Sequence, residues 1–379
     1  MVKNANIVSP DAPPDAIGDL EVGSLSQWQL IRLRFTRHRM ALFSLYVVCA
    51  LYSMALFAEF FAPTTTDWRS IDHIYCPPQI PKFSLEYGFH VQALQKQKDP
   101  ITFRRYYTFV PDRVIPLAFF VKGAPYKLWG IFPMERHFFG IDGSTEGDAF
   151  YLLGADKIGQ DVFSRIIYGA RVSLSIGVAS IIATFILGIL FGGVSGYVGG
   201  RVDNFIQRSI EIINSFPQIP LWLVLAALVP PDWSPLRTYF AITIVLSLLN
   251  WTGLARVVRG KLLSLREEDY AVAARLIGAG HSRIIFRHLV PGFSSHIIVS
   301  LTLSVPAMIL GETALSFLAL GLRPPVVSWG VMLQDCMKFQ AIADYPWVLM
   351  PVLFIVLTVL AFNFLGDGLR DAADPYSSH

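Results

Sequence analysis

SLREEDYAVAARLIGAG, residues 264 to 280, is a charged, helix-forming segment set among long apolar runs. Ser264 and Glu267 have the S-x-x-E spacing of a capping box, and Glu267, Glu268 and Asp269 put negative charge at the positive end of the helix that follows, which is expected to start near Leu265. Tyr270, Ala273, Ala274 and Ile277 fall at i, i+3, i+4 and i+7 and form one narrow apolar stripe. Gly278 and Gly280 supply a left-handed stop, and the small Ala273, Ala274 and Ala279 let another backbone come close. A second short helix is expected from about Ser282 through RIIFRHLV to Pro291. The unit, about residues 256–291, reads as a helical elbow carrying a docking face.

What surrounds this elbow is too apolar for a soluble enzyme. Of 379 residues, 53% are hydrophobic and 16% charged, and the mean hydropathy is +0.49, so the membrane is the solvent. A net charge of +3 and a pI near 8.7 would suit nucleic acid, but the basic residues cluster beside apolar spans and read as the positive flanks of membrane helices; no nucleic-acid partner is expected.

In chain order, Met1 to Gly23 is rich in Pro, Asp, Ala and Ser without periodicity and reads as a flexible tail; Ser24 to His38 reads as an amphipathic lead-in with Trp28 at headgroup depth. Residues 1–39 are thus expected to be cytoplasmic. Met40 to Phe61 follows four arginines, has no small-residue cleavage site and reads as an uncleaved transmembrane helix rather than a signal peptide. Five more candidate spans fill residues 172–368: Val172 to Tyr197, Phe205 to Val229, Tyr239 to Leu254, Ile297 to Leu320 and Trp347 to Leu365. An even number of crossings separates Arg32, Arg34, Arg37 and Arg39 from the basic elbow, so the N-terminus, the elbow and the tail at 369–379 share the cytoplasmic side. The fold class expected is an all-α membrane protein of six spans, with a long extracytoplasmic insertion, residues 62–171, between the first and second.

That insertion is rich in aromatic residues, and RVIPLAFFVKG and YKLWGIF read as strands bounded by Gly and Pro. Two readings stand side by side: a folded cap that stiffens the outer end, and a docking surface for a partner protein. Asp161 to Tyr168 reads as a short surface helix.

Ionisable groups within spans face a cavity or a partner, which makes Glu211, beside Arg208, and Glu312 candidates for lining a pathway. For Glu312 a structural network with Thr313 and Ser316 is the equal alternative. Pro217, Pro220 and Pro306 are expected to kink or loosen their helices, and the glycines at 188, 192, 193 and 196 to permit close helix contact. Cys76 and Cys336 fall on one side of this topology, which leaves a disulfide open. No Cys and His spacing resembles a metal site, no cofactor is expected in this chain, and no residue is assigned a catalytic role. Gly260–Lys261 lacks the glycine and hydroxyl positions of a phosphate-binding loop, since Ala255 and Leu262 stand there, so this chain is not expected to bind ATP itself. GVSG, residues 193 to 196, would make Ser195 the nucleophile of an intramembrane serine protease, but no histidine sits in a span to serve as base. A secondary transporter would need internal repeats, and none is found.

DYAVAARLIGAGHSRIIFRHLVPG resembles the EAA loop of bacterial ABC importer permeases at Glu268 or Asp269, Ala273, Ala274, Gly278, Leu289 and Pro291. With GADKIGQDVFSRIIYGARVSLSIG (154 to 177), ALSFLALGLRPPVVSWG (314 to 330) and FNFLGDGLRDAADP (362 to 375), the chain is similar to the second permease of the dipeptide, oligopeptide and nickel importers. Two departures are Gly292, where that family often has Asn, and the longer region from about Asp67 to Phe150. The resemblance implies a type I importer permease in the bacterial cytoplasmic membrane, and a pathway shared with a second permease. It also implies two ATPase subunits carrying ATP and magnesium, and a solute-binding protein. The elbow residues Glu267, Glu268, Asp269, Tyr270, Ala273, Ala274, Gly278 and Ala279 would then couple to the ATPase, and Glu211, Pro217, Glu312 and Ser316 would line the pathway.

Overall fold

A computed structural model describes residues 27–98, 100–101, 105–143, 148–280 and 283–373. The tail expected at Met1 to Gly23, the Trp28 side chain, Ser282 and the last six residues lie outside them. The amphipathic lead-in is helix α1 (Gln27–Arg37), and His38, whose ring accepts the amide of Ala41, starts α2 (Arg39–Leu56). This first span breaks at Phe57 and resumes for one turn as α3 (Ala58–Phe61). At the break the Phe60 amide turns to the Phe57 carbonyl, so the Leu56 carbonyl takes other donors: Trp129 Nε1 at 2.8 Å and Arg171 at 3.1 Å. Arg171 also holds both carboxylate oxygens of Glu59 at 2.6 Å, tying the first span to the second.

The insertion folds as an antiparallel meander in the order β1 (Lys82–Ser84), β2 (Gly88–Lys98), β3 (Arg105–Leu128), β4 (Phe132–Ile141). Val91, Ala93, Ile115, Leu117 and Phe150 form its core. The helical class therefore carries one sheet. RVIPLAFFVKG lies within β3, but YKLWGIF is not one strand: Trp129 and Gly130 take φ values of 54° and 74°, and the chain reverses there.

Asp161 caps α4 (Val162–Val198), accepting the amides of Phe163 and Ser164. The short surface helix expected at Asp161 to Tyr168 is thus the first two turns of the second span, because nothing in the sequence between them breaks the helix. The third span is interrupted: α5 (Gly200–Ser215) and α6 (Gln218–Ala227) meet at 88°. Pro217 forces Phe216 extended and lacks the amide that would continue the ladder. Pro220 sits harmlessly in the first turn of α6, and Pro306 lies inside a helix that runs on through it. α7 (Pro235–Leu265) is longer than the span expected at Tyr239 to Leu254. It carries Arg256, Arg259 and Lys261, so the first turns of the elbow are the end of the fourth span. Ser264 therefore lies inside α7 and caps nothing. After α8 (Asp269–Leu276), a π-helical turn (Ile284–Leu289) and a 3-10 turn (Val290–Phe293) lead into α9 (Ser294–Phe317), then α10 (Trp329–Leu333), α11 (Phe339–Asp344) and α12 (Met350–Ala373). Among the described residues five helices are long and apolar enough to cross a membrane, and six if the bent pair counts as one.

Two helices approach backbone to backbone. A Cβ on Gly192 would stand 2.5 Å from the Ala255 carbonyl oxygen, and one on Gly196 would stand 2.8 Å from that of Arg259; Gly188 meets Leu254. Gly193 is different, with only Ile285 nearby at 3.6 Å. The same seam is pinned by charge: Asp203 of α5 accepts Arg259 Nε and Nη2, each at 2.6 Å, and the hydroxyl of Ser195, which Gln207 also reaches at 3.0 Å.

Cys49, Cys76 and Cys336 are free thiols, so the disulfide left open at Cys76 and Cys336 is not formed. Burial pushes the Cys76 thiol up to about 12 and that of Cys336 up to about 11, which keeps both protonated.

The seam gives a direct test. Gly192→Leu is expected to lower stability by about 1–3 kcal/mol through overpacking. Gly193→Ala should leave it unchanged. Thermal unfolding of the purified variants measures both, and an unshifted Gly192→Leu would remove the close approach as a constraint.

Candidate functional site: an exposed elbow and a polar cleft

The elbow is held by one face. Ala271 and Ala274 of α8 are buried with Ile284, Ile285, Leu289 and Phe293, against Ile189, Leu254, Val258 and Leu262 of α4 and α7; Ala279 packs at the edge of this core. The stripe expected from Tyr270, Ala273, Ala274 and Ile277 is therefore split. Ala274 faces inward, while Tyr270, Ala273, Leu276 and Ile277 face out, the last two at 83% and 86% exposure. Two large aliphatic side chains are thus left bare at the end of the helix. The core takes the face of α8 on which Ala271 and Ala274 lie one turn apart, and Tyr270, Ala273 and Ile277 fall beside it; α8 begins at Asp269, with Glu268 as an N-cap that makes no side-chain bond.

Glu267, Glu268 and Asp269 remain exposed around that start. Partial burial, with the charge of Glu268, holds the Tyr270 hydroxyl above its ordinary range, so it stays neutral. Gly278 takes φ +83° and stops the helix, whereas Gly280 needs no positive φ. No atom lies within 4 Å of a Cβ built on Gly278, so its glycine is a matter of conformation rather than of space within this chain. Arg275 lies 5.8 Å over the Tyr197 ring, bracing α8 against the end of α4.

Next to the elbow, α6, α7 and α9 enclose an open cleft of about 640 Å³. Its lining mixes apolar side chains such as Ile213, Phe216, Leu221 and Val257 with uncharged polar groups, Asn214, Gln218, Asn250, Thr252, Ser300 and Ser304. Gln218 donates to Asn250 at 3.1 Å, and Thr252 donates to Asn214 at 3.1 Å, so the amides are oriented. The break at Pro217 creates this wall, since Phe216 and Gln218 on either side of it both line the cleft. Sequence reasoning searched for charge and missed these groups. The usable signal was polar residues one turn apart in apolar spans, as Ser300 and Ser304 are.

The acidic candidates lie elsewhere. Glu211 sits on the exposed side of α5, bonded to Arg208 at 2.6 Å. Glu312 and Ser316 are fully buried: Ser316 Oγ donates to Glu312 at 2.8 Å and Ser173 Oγ at 2.9 Å, while the Trp329 amide donates to Ser173. Glu312 thus joins α4, α9 and α10 in a structural network that includes Ser316 as expected but not Thr313, whose buried hydroxyl bonds nothing. Ser195 donates a hydrogen bond to Asp203 inside the seam, and that carboxylate is already held by Arg259. Among the described residues no group of three or more His, Cys, Asp or Glu is placed to hold a metal ion.

Residues 188–378 match the family described as binding-protein-dependent transport system inner membrane component, and residues 26–78 match the N-terminal TM domain of oligopeptide transport permease C. The chain is 41% identical to the dipeptide transport system permease protein of Bacillus subtilis (strain 168) over 227 residues, 60% of this chain and 69% of that protein. It is 38% identical to the oligopeptide transport system permease protein of Haemophilus influenzae over 229 residues, 60% and 71% of the two chains. The two family matches leave residues 79–187 between them, and strands β1 to β4 fall there.

For Glu312 the expected outcome separates the two readings. Glu312→Ala strands two buried hydroxyls and should cost about 1–3 kcal/mol. Glu312→Gln keeps the size and one of the two acceptor oxygens and should lose less stability in detergent than Glu312→Ala. Equal stability of Glu312→Ala and wild type would return Glu312 to the pathway.

Proposed function

Since the chain belongs to the family of binding-protein-dependent transport system inner membrane components, we propose that it is the permease subunit of an ATP-driven importer of peptides or similar solutes. It pairs with a second permease, and together they line the pathway. The observation that carries this reading is the divided elbow: Ala271 and Ala274 lock α8 to two spans, while Tyr270, Ala273, Leu276 and Ile277 stay free for a partner.

The partner at that face is an ATPase subunit, which holds the ATP and magnesium that this chain has no loop to bind. Small Ala273 lets the cleft of the ATPase come close, and Glu267, Glu268 and Asp269 meet its basic rim, tuning association and salt dependence. Movement of the ATPases then reaches α7 and α9, the two helices that flank the elbow and also wall the cleft.

The cleft suits a peptide backbone. Asn214, Gln218 and Asn250 offer both donors and acceptors without charge, so they recognise amides while leaving side chains undefined. The cleft is open on one side, and the second permease closes it. The sheet of residues 82–141 receives a solute-binding protein on the other side of the membrane, with both termini and the elbow in the bacterial cytoplasm.

Two measurements test this. Ile277→Asp is expected to remove an apolar contact of about 1.5–3 kcal/mol. That weakens ATPase binding about ten-fold or more. The ATPase subunits should be lost on co-purification and uptake abolished, with normal insertion of the permease; retained subunits and wild-type uptake would exclude the elbow as the coupling element. For topology, a cysteine at Ile101 should react with an impermeant thiol reagent in intact cells, and one at Glu267 only after permeabilisation.

A further inference from the structure

We propose that the β3–β4 turn, Leu128 to Met134, is seated in the lipid bilayer, in the leaflet where the first span ends. Its depth is fixed by a hydrogen bond. Trp129 Nε1 donates to the carbonyl of Leu56, and its ring lies 5.5 Å from that of Phe57. With 18 residues, α2 is ~27 Å long, close to the ~30 Å of the hydrocarbon layer, so its last residue lies at the hydrocarbon boundary. An indole with its N–H already bonded is the side chain that best suits that level.

The turn is built for the same place. LWGIFPM, residues 128 to 134, contains no charge, and Ile131 and Phe132 are 70% and 53% exposed at its end. The Gly130 and Ile131 amides bond back to the carbonyls of Lys127 and Leu128, at 3.0 and 3.1 Å, so these donors are satisfied without water. Charge returns as soon as the strands leave the turn: Lys127 precedes it, Arg136 follows it, and Lys122 pairs with Glu135 at 2.8 Å. Basic residues one step above an apolar tip meet the phosphates of anionic lipids.

The space beneath the tip fits the same occupant. Trp129 roofs an open groove of about 780 Å³ between α2 and α4, lined by Tyr52, Leu56, Leu174, Val178 and Ile182. Its one ion pair, Arg171 with Glu59, is mutually neutralised, which leaves an apolar channel that takes an acyl chain. Hairpin and groove together form one lipid site, with the headgroup beside Lys127 and Arg136 and the chain beneath the indole.

Spin labels placed on the full chain, assembled with its partner subunits in phosphatidylethanolamine and phosphatidylglycerol vesicles, test this. The labels go at Ile131→Cys, at Phe132→Cys in case the first variant folds poorly, and at Ile101→Cys, an 85% exposed position far along the sheet, all in a Cys49→Ser background. At the turn, relaxation by oxygen relative to a water-soluble nickel chelate is expected to be several-fold higher than at Ile101. A ratio equal to that of Ile101 puts the turn in water and overturns the proposal. Exclusion of both reagents at the turn overturns it equally, assigning the tip to a contact with another subunit.

Discussion

The approach of α4 and α7 through Gly192 and Gly196 sets the geometry on which the elbow depends. Without a Cβ at either position, the backbone of one helix rests on the carbonyls of Ala255 and Arg259 of the other. In a bilayer, where lipid tails are as apolar as leucine, such contact gains dispersion that no burial of hydrophobic surface supplies. The Asp203–Arg259 pair then fixes the rotation of α5 on α7, with Ser195 and Gln207 satisfying the remaining polar atoms. A lever works only from a rigid base, and this seam is the base of the elbow.

In the proposed coupling, the elbow and the cleft are the two ends of one device. α7 and α9 carry the elbow between them, and both contribute walls to the cleft. The Ala271–Ala274 face is packed with the same core that holds Leu254 and Val258 of α7 and Ile297 of α9. A displacement of α8 therefore cannot be absorbed locally, because close-packed interiors transmit strain rather than dissipate it. The far end of α9 is held separately, to α4 by Glu312 with Ser173 and Ser316, and α10 is tied to α4 by the Trp329 indole bonded to the Ile166 carbonyl at 3.0 Å.

Several expectations failed for identifiable reasons. Ser264 and Glu267 match a capping box, yet the preceding helix runs through Ser264 to Leu265, since nothing between Leu254 and Leu265 stops it, and the next helix starts only at Asp269. The stripe divided because the core covers the face of α8 that carries Ala271 and Ala274. Glu211 and Glu312 drew attention as charges, but one is paired on the surface and the other is wholly enclosed by hydroxyls. The amides that do line the cleft carry no charge, and they become a group only when the Pro217 break brings Gln218 beside Asn250.

The sequence by itself determined the membrane class, the approximate spans, the family and the position of the elbow, because each rests on patterns local in the chain: apolar run length, basic flanks, glycine stops and short motifs. It also marked residues 62–171 as folded and strand-bearing. Tertiary structure alone decided which side of each short helix is buried, that Cys76 and Cys336 remain thiols, that Ser195 serves Asp203, and that Trp129 reaches back to Leu56 across 73 residues. These are pairings between distant segments. A single chain read in order carries no signal for them, since the partner of each group is chosen by how whole helices dock and not by the residues beside it.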